Sequence, residues 1–475
     1  MNFSHKEVKG KNQPDSLSTE SYIISKENQR LINFKDSNLE NGIREKLDIP
    51  KGHLTEDNVK NIEELNLKHK NISSLEGLQY LNSLKKLNLM FNKIEDISPL
   101  NSLVNLEDLN LGYNKISDIN PLNNLANLQD LNLQSNKISN IEPLNNLKSL
   151  KVLSLYNNNV TNLQPLSGLM NLDDLDLYIN KIEDIQPLKS LVNLTKLSLG
   201  MNKITSIEEL KDLKKLKVLE LDENKITDIK ALSNLTELVD LYLYGNKIEN
   251  INPLRTLKNL MHLELSDNEI TNIKGLGALA NLKTLNLDNN NINKLKGIEN
   301  AKNLESIRLT YNQISSLDEL SSLTKLTALA LRNNKITNVK PLSSLANLKS
   351  VDISNNQVRD VIPLRSLPEL PLSNIDFSGN PLPQYIFTDK LNEEFILSSL
   401  SPYIGTAIRE YYGEYRQYSN AGILSVEKLQ GKYKLKIRVE TFVGPHNPPH
   451  GIETMIITQD CSEIKVEDFK HEGEK

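Results

Sequence analysis

Tryptophan is absent from the 475-residue chain, and cysteine occurs once, at Cys461. A single thiol excludes an internal disulfide framework and a cysteine-based zinc cage. Basic excess is missing too: 56 Lys and Arg stand against 61 Asp and Glu, a net charge of −5. Nothing in that balance favours nucleic acid or an anionic membrane as partner. Long apolar runs are also lacking. Met1 to Lys26 is polar, with Tyr22-Ile23-Ile24 as its longest apolar stretch, which is no secretory core. No run approaches a membrane span. As written, the chain is expected in the cytoplasm; a start placed too far downstream would instead allow a secreted or cell-surface protein. There is no Gly-rich phosphate loop and no His-Glu-x-x-His pair, so no cofactor, resident metal or catalytic residue is expected.

What is present is a repeat. Leu87-Asn88-Leu89-Met90-Phe91-Asn92-Lys93-Ile94-Glu95-Asp96-Ile97-Ser98-Pro99-Leu100 returns every 22 residues. Its asparagine recurs as Asn92, Asn114, Asn136, Asn158, Asn180, Asn202, Asn224, Asn246, Asn268, Asn290, Asn312, Asn334 and Asn356, and Asn380 follows after two extra residues. Lys70 holds the column one coil earlier, so fifteen coils are expected. Stacked repeats make one elongated domain without a central core. Length alone would suggest about three domains, and the period overrides it.

The columns have separate tasks. Leu84, Leu87, Leu89, Ile94, Ile97, Leu100 and Leu103 are read as inward. Leu-x-Leu forms a short strand, and successive strands make a parallel sheet. The asparagine turns the chain, and its amide, both donor and acceptor, can satisfy buried backbone groups of neighbouring coils. Proline seven residues later, as at Pro99, Pro121 and Pro187, suits a tight return where no ladder hydrogen bond is lost. Ahead of the array, residues 1–33 read as a disordered leader. Leu39, Ile43 and Leu47 form one helical stripe, with Ser37 or Asn38 as its cap and a second short helix after Thr55. Residues 34–62 thus cover the open end of the first coil.

The repeat resembles the 22-residue leucine-rich repeat of the bacterial internalin family. Leu39-Glu40-x-x-Ile43-Arg44-x-x-Leu47, then Gly52-x-Leu54-Thr55, resembles the N-terminal cap of such arrays. The resemblance implies an α/β repeat solenoid over 63–383, with a parallel concave sheet and a short 3-10 or extended convex side. It implies protein recognition on the concave face. A monomeric, non-enzymatic scaffold is expected. The chain lacks a Leu-Pro-x-Thr-Gly sorting motif and a membrane tail. The regulatory subunits of protein phosphatase 1 use a similar repeat and supply an intracellular alternative.

Side chains between and just after the strand leucines, four, two and one residues before each asparagine, are expected on the concave face, where folding needs no particular residue. They include Met90, Phe91, Tyr113, Tyr156, Tyr178, Ile179, Met201, Tyr242 and Tyr244, with His262 on the same face. Tyrosine brings large contact area at low entropic cost, though it also tolerates a half-exposed sheet. Acids mark the same face: Asp108, Asp130, Asp174, Asp176, Glu220, Asp222 and Asp240. A protein partner with a basic or apolar patch would suit them. Arg308 and Arg332 replace the acids further along.

Residues 384–475 read as a small α+β domain. A helix over 390–412, interrupted at Pro402, precedes strands near 423–429, 433–442 and 452–458. Leu400-Ser401-Pro402-Tyr403-Ile404-x-x-Ala407-Ile408-x-x-Tyr411-Tyr412-Gly413, with Val439-Glu440-Thr441-Phe442-x-Gly444-Pro445-His446-Asn447-Pro448-Pro449-x-Gly451, resembles a small uncharacterised domain of Gram-positive bacteria. His446 and His450, with Glu440 and Glu453 nearby, could hold a divalent ion or serve an enzyme. A rigid Pro-Pro loop between two strands explains the same residues.

Overall fold

The computed structural model describes residues 30–371, 374–381, 393–412, 417–429, 432–442, 451–459 and 464–472. The expected leader up to residue 29, the loop bearing His446 and His450, and Cys461 lie outside the described residues. The chain divides into two compact units, Met1–Val160 and Thr161–Lys475.

In the first unit helix α1 (Ser37–Leu47) buries Leu39 and Ile43. Its cap is Asp36, not Ser37 or Asn38. Asp36 Oδ1 accepts from the backbone N–H groups of Asn38 at 2.9 Å and Leu39 at 3.3 Å. Oδ2 accepts from the Ser73 N–H at 2.7 Å and hydroxyl at 2.9 Å, and from the Ser74 N–H. One carboxylate therefore ends the helix and ties it to the first coil. Burial opposes its charge, but the hydrogen bonds from Ser73, Leu39 and Ser74 outweigh that and hold the carboxyl below the usual range. Helix α2 (Glu56–Val59) follows, with Val59 buried. Leu31 and Ile32, counted with the leader from sequence, are ordered instead: Leu31 bridges Thr55, the Ile32 N–H donates to the Leu54 carbonyl, and Ile32 is buried. Phe34 is buried against Gly77, whose φ of 107° only glycine adopts readily and where a methyl would strike the ring.

Five parallel strands follow: β1 (Glu64–Asn66), β2 (Lys86–Asn88), β3 (Asp108–Asn110), β4 (Asp130–Asn132) and β5 (Val152–Ser154). The second unit adds ten: β6 (Asp174–Asp176), β7 (Lys196–Ser198), β8 (Val218–Glu220), β9 (Asp240–Tyr242), β10 (His262–Glu264), β11 (Thr284–Asn286), β12 (Ser306–Arg308), β13 (Ala328–Ala330), β14 (Ser350–Asp352) and β15 (Ile375–Asp376). Their register pairs like positions of successive coils, for instance Asp174↔Lys196 and Leu175↔Leu197. Each strand is three residues long except β15, and the middle residue, leucine in all but β12 (Ile307) and β14 (Val351), is buried. Proline opens 3-10 turns on the return, as at Ser98–Ser102 and Gln186–Ser190, because its fixed φ suits a first turn and its missing N–H costs nothing there.

Each asparagine amide links its own coil to the preceding one, as donor and as acceptor. Asn202 Nδ2 donates to the Leu199 carbonyl of its own coil and the Leu177 carbonyl of the preceding one, each at 3.0 Å. Its Oδ1 accepts from the Ile182 N–H at 3.0 Å. Asn92 does the same with Leu89, Leu67 and Ile72. The residue just before each asparagine is left-handed, with φ between 50° and 59° from His69 to Asn355 wherever it is not glycine. That twist turns the amide inward while the N–H still joins the inter-coil ladder, as from Phe91 to the Gly112 carbonyl.

After the coils, helix α3 (Glu393–Tyr412) contains Pro402 and buries Leu400, Ile404 and Ile408. It packs against β15 and against two strands of a four-stranded antiparallel sheet: β16 (Gln417–Leu429), β17 (Lys432–Phe442), β18 (Gly451–Gln459) and β19 (Ile464–His471). Three strands were expected; β19 is the fourth. A bulge between Ile456 and Ile457 shifts its pairing and breaks the alternation by which a strand is read.

Replacing one ladder amide isolates its contribution. Asn202→Asp sets a carboxylate against the Leu177 and Leu199 carbonyls, so it should lower unfolding stability by about 2–4 kcal/mol. Lys203→Ala, one residue on and exposed, should change it by about 0.5 kcal/mol or less. Chemical denaturation of the two variants makes the comparison, and equal effects would refute the ladder's role.

Candidate functional site

Strand alternation sends every second side chain away from the leucine core, so the exposed strand face carries the unrepeated residues. Its columns are less free than the sequence suggests. Four residues before the asparagine, a side-chain oxygen accepts the N–H two residues on: Asn110 from Gly112, Asn132 from Gln134, Asp176 from Tyr178, Asp352 from Ser354. In these coils the position supplies an acceptor to the turn, and Asp176 fills this role rather than simply adding charge. The column directly before the asparagine is left-handed, which costs a side-chain-bearing residue about 1–2 kcal/mol. Ile179, β-branched, is the least expected residue there.

In the first unit, Phe91 stacks between His69 and Tyr113, with ring centroids 4.3 Å apart on both sides and planes 9° and 14° from parallel. Lys68 Nζ lies 5.4 Å from the Phe91 centroid, within cation–π range. Tyr113 ends this ladder with 39% of its surface exposed. Met90 and Tyr156 are half-buried on the same face. Asp108 and Asp130 are register partners; burial, then the charge of Asp130, pushes the Asp108 carboxyl up.

In the second unit the tyrosines and acids form a hydrogen-bonded cluster. Tyr178 OH donates to Asp222 Oδ2 at 2.5 Å and lies 3.3 Å from Tyr244 OH. Asp222 is only 2% exposed. These residues share one column, and Tyr178 passes over Gly200 to reach Asp222; a methyl at Gly200 would collide with the ring and the carboxylate. Burial, then hydrogen bonds to Asp222 and Tyr244, pushes the Tyr178 phenol far up, so it is a fixed donor. Tyr178→Ala would strand a buried carboxylate and so should cost stability as well as contact area.

Around this cluster lie Asp174, Asp176, Glu220, Asp240, Tyr242 and Glu264. Lys196 Nζ is 3.7 Å from Asp174, and His262 Nε2 is 3.9 Å from Asp240 while its Nδ1 meets Thr284 Oγ1 at 2.7 Å. Burial pushes Asp174 and Glu220 up, with Lys196 opposing at Asp174 and Ser198 and Lys196 opposing at Glu220. Burial, then Asp240, Glu220 and Glu264, raises Tyr242. Ile179 is half-buried beside Met201, which is 46% exposed. Further on, Arg308 grips Asp288, Nη2 at 2.6 Å and Nε at 2.8 Å from Oδ2, so it is already engaged.

The small C-terminal sheet holds a second polar cluster. Glu453, fully buried, accepts on Oε1 from Tyr412 OH at 2.5 Å and Thr441 Oγ1 at 2.9 Å, with His471 Nδ1 3.1 Å from both its oxygens. Glu453 was a conceivable metal ligand from sequence, but its oxygens are occupied by internal donors. His471 ends strand β19, and no motif or spacing in the sequence points to it. Among the described residues no three His, Cys, Asp or Glu side chains are grouped to hold a metal ion, and no helix is long and apolar enough to cross a membrane.

Against solved structures, an internalin (inlF) from Listeria monocytogenes is 36% identical, covering 69% of this chain and 98% of its own, with a TM-score of 0.66. The chain belongs to the internalin family of leucine-rich-repeat proteins. A leucine-rich-repeat protein of Leptospira interrogans is 30% identical over 69% of this chain and 86% of its own, TM-score 0.64. The plant peptide hormone receptor RGFR1, solved in complex with RGF2, is 23% identical over 64% of this chain and 57% of its own, TM-score 0.57; that likeness is one of fold. Family models agree: "Leucine Rich repeats (2 copies)" matches four segments between 104 and 234, "Leucine-rich repeat" matches 234–353, and "Leucine Rich repeat" matches 80–97. "Protein of unknown function (DUF3888)" matches 392–473, the helix and small sheet. A search of curated proteins finds no match.

The raised carboxyls give this internalin-type array a pH signature. Asp174 and Glu220 hold protons more tightly folded than unfolded, so their charging weakens the fold as pH rises through the raised values. Acidifying from neutral pH down through the raised values toward the ordinary carboxyl range should therefore offset acid destabilisation and raise the unfolding midpoint relative to a variant without these groups. Asp36 works oppositely, but only as pH falls through its lowered value. Glu220→Gln should flatten the trend, as measured by thermal melts across that range; an unchanged slope would contradict it.

Proposed function

We propose that this protein is a non-enzymatic binding scaffold that holds a partner protein on the strand face of β6–β10. The observation that carries this is the excess of carboxylates around a rigid tyrosine cluster. Asp174, Asp176, Glu220, Asp222, Asp240 and Glu264 share the face with one lysine, Lys196, and with His262. Tyr178, fixed by Asp222, braces Tyr244, so aromatic area is offered with little conformational freedom left to lose. Ile179 and Met201 add an apolar margin. A partner with a basic patch beside an apolar residue complements this surface, and long-range attraction would speed its capture. Leucine-rich repeats typically serve as binding scaffolds rather than catalysts, which supports the same reading.

Cation binding favours ionised Asp174 and Glu220, so affinity should weaken as pH falls through their raised values, and it should weaken with salt. Captured proteins should be lost with the combined Tyr242→Ala, Tyr244→Ala and Glu220→Gln variant, by about tenfold or more, since each central contact contributes about 1 kcal/mol or more. Tyr178 stays untouched, which preserves the fold. Pull-down at two salt concentrations makes the test; equal capture by variant and wild type would remove this face from consideration.

A further inference from the structure

The aromatic ladder of the first unit stops one rung short of a continuous stack. His69, Phe91 and Tyr113 occupy the same position in successive coils, and their rings lie parallel with centroids 4.3 Å apart. That spacing is close to the strand separation of about 4.8 Å, so each coil sets one ring upon the last. Phe91 covers one face of Tyr113. The other face points to the next coil, where Ser135 is too short to reach it. Tyr113 is accordingly 39% exposed. One coil further, Asn157 Nδ2 donates to Ser135 Oγ at 3.2 Å, and its amide closes the far side. Tyr113 and Asn157 are two coils apart, about twice the 4.3 Å ring spacing of this column. Planar groups in van der Waals contact lie about 3.5–4 Å apart. The opening therefore admits one flat group and no more.

We infer that this opening between Tyr113 and Asn157, floored by Ser135, is a slot for an aromatic side chain of a protein partner. The inference rests on the binding-scaffold reading but uses residues of the other unit. A ring in the slot would continue the offset stacking already present in the ladder. A cation is the weaker occupant: Lys68 already lies over Phe91, and Lys137 follows Ser135 by two residues. The backbone accommodates aromatic rings throughout this column, since Phe91 and Tyr113 have φ of 58° and 55° and Ser135 has 52°. Filling the slot from within is thus feasible, and that supplies a control.

The test uses the full chain and three probes, N-acetyl-tryptophanamide, N-acetyl-argininamide and methyl glucoside, observed by saturation-transfer NMR. The tryptophan probe should bind in the millimolar range and be weakened at least fivefold by Tyr113→Ala. Ser135→Phe should abolish its binding by completing the ladder, while Ser135→Ala leaves it unchanged. No binding of the tryptophan probe, binding indifferent to Ser135→Phe, or competition by the arginine or sugar probe would each overturn the assignment. Because Tyr242, Tyr244 and Glu220 are untouched, failure here leaves the β6–β10 reading standing, and failure there leaves this one standing.

Discussion

The structure depends on one hydrogen-bonding group, the primary amide set after each strand. A coil of 22 residues encloses backbone carbonyls and N–H groups that water cannot reach, and each unsatisfied one costs about 1–3 kcal/mol. The amide of Asn202 meets two carbonyls and one N–H belonging to two coils. Aspartate could not donate, and serine could not reach all three groups at once. Leucine and isoleucine burial supplies most of the driving force, but it is indifferent to register. The amide joins one coil to the next at a single offset.

That constraint reaches the outer face. Turning the amide inward requires a left-handed residue before it, and the N–H two residues before the asparagine finds a side-chain acceptor in coils such as those of Asn110, Asn132, Asp176 and Asp352. Thus two columns that look free in sequence carry structural duties. Only two glycines, Gly245 and Gly379, relieve the left-handed position among the coils; elsewhere it bears mostly polar residues such as Ser135, Asn157 and Asp267, and the bulky Phe91, Tyr113, Ile179, Met201 and Tyr311. Bulky residues at a position that resists them concentrate where the face has aromatic and apolar character.

The architecture was legible because its signal is redundant. Leucine, isoleucine and asparagine columns agree over fifteen strands, so no single irregular coil obscures the period. The cap stripe Leu39, Ile43, Leu47 was equally plain, whereas its capping residue was not, since Asp36 is chosen by a tertiary bond to Ser73. The strand β19 escaped because a bulge disrupts its alternation. At the site, residue types and face were readable, but their pairing was not. Tyr178 and Asp222 lie 44 residues apart, and the clue is Gly200 between them in the same column, visible only when the repeats are stacked. Glu453 was read as near a histidine loop; its donors Tyr412, Thr441 and His471 come from three other elements.

Repeated columns build the scaffold and the remaining strand-face positions recognise the partner: this division is the central claim. A saturation-mutagenesis library over residues 84–270, sorted separately for folded protein and for partner capture, tests it most directly. Folding should show a 22-residue period of intolerance at the leucine, isoleucine and asparagine columns. Capture alone should fall at Tyr242, Tyr244, Glu220 and Met201. Coincident intolerance of the two readouts at every position would contradict the division.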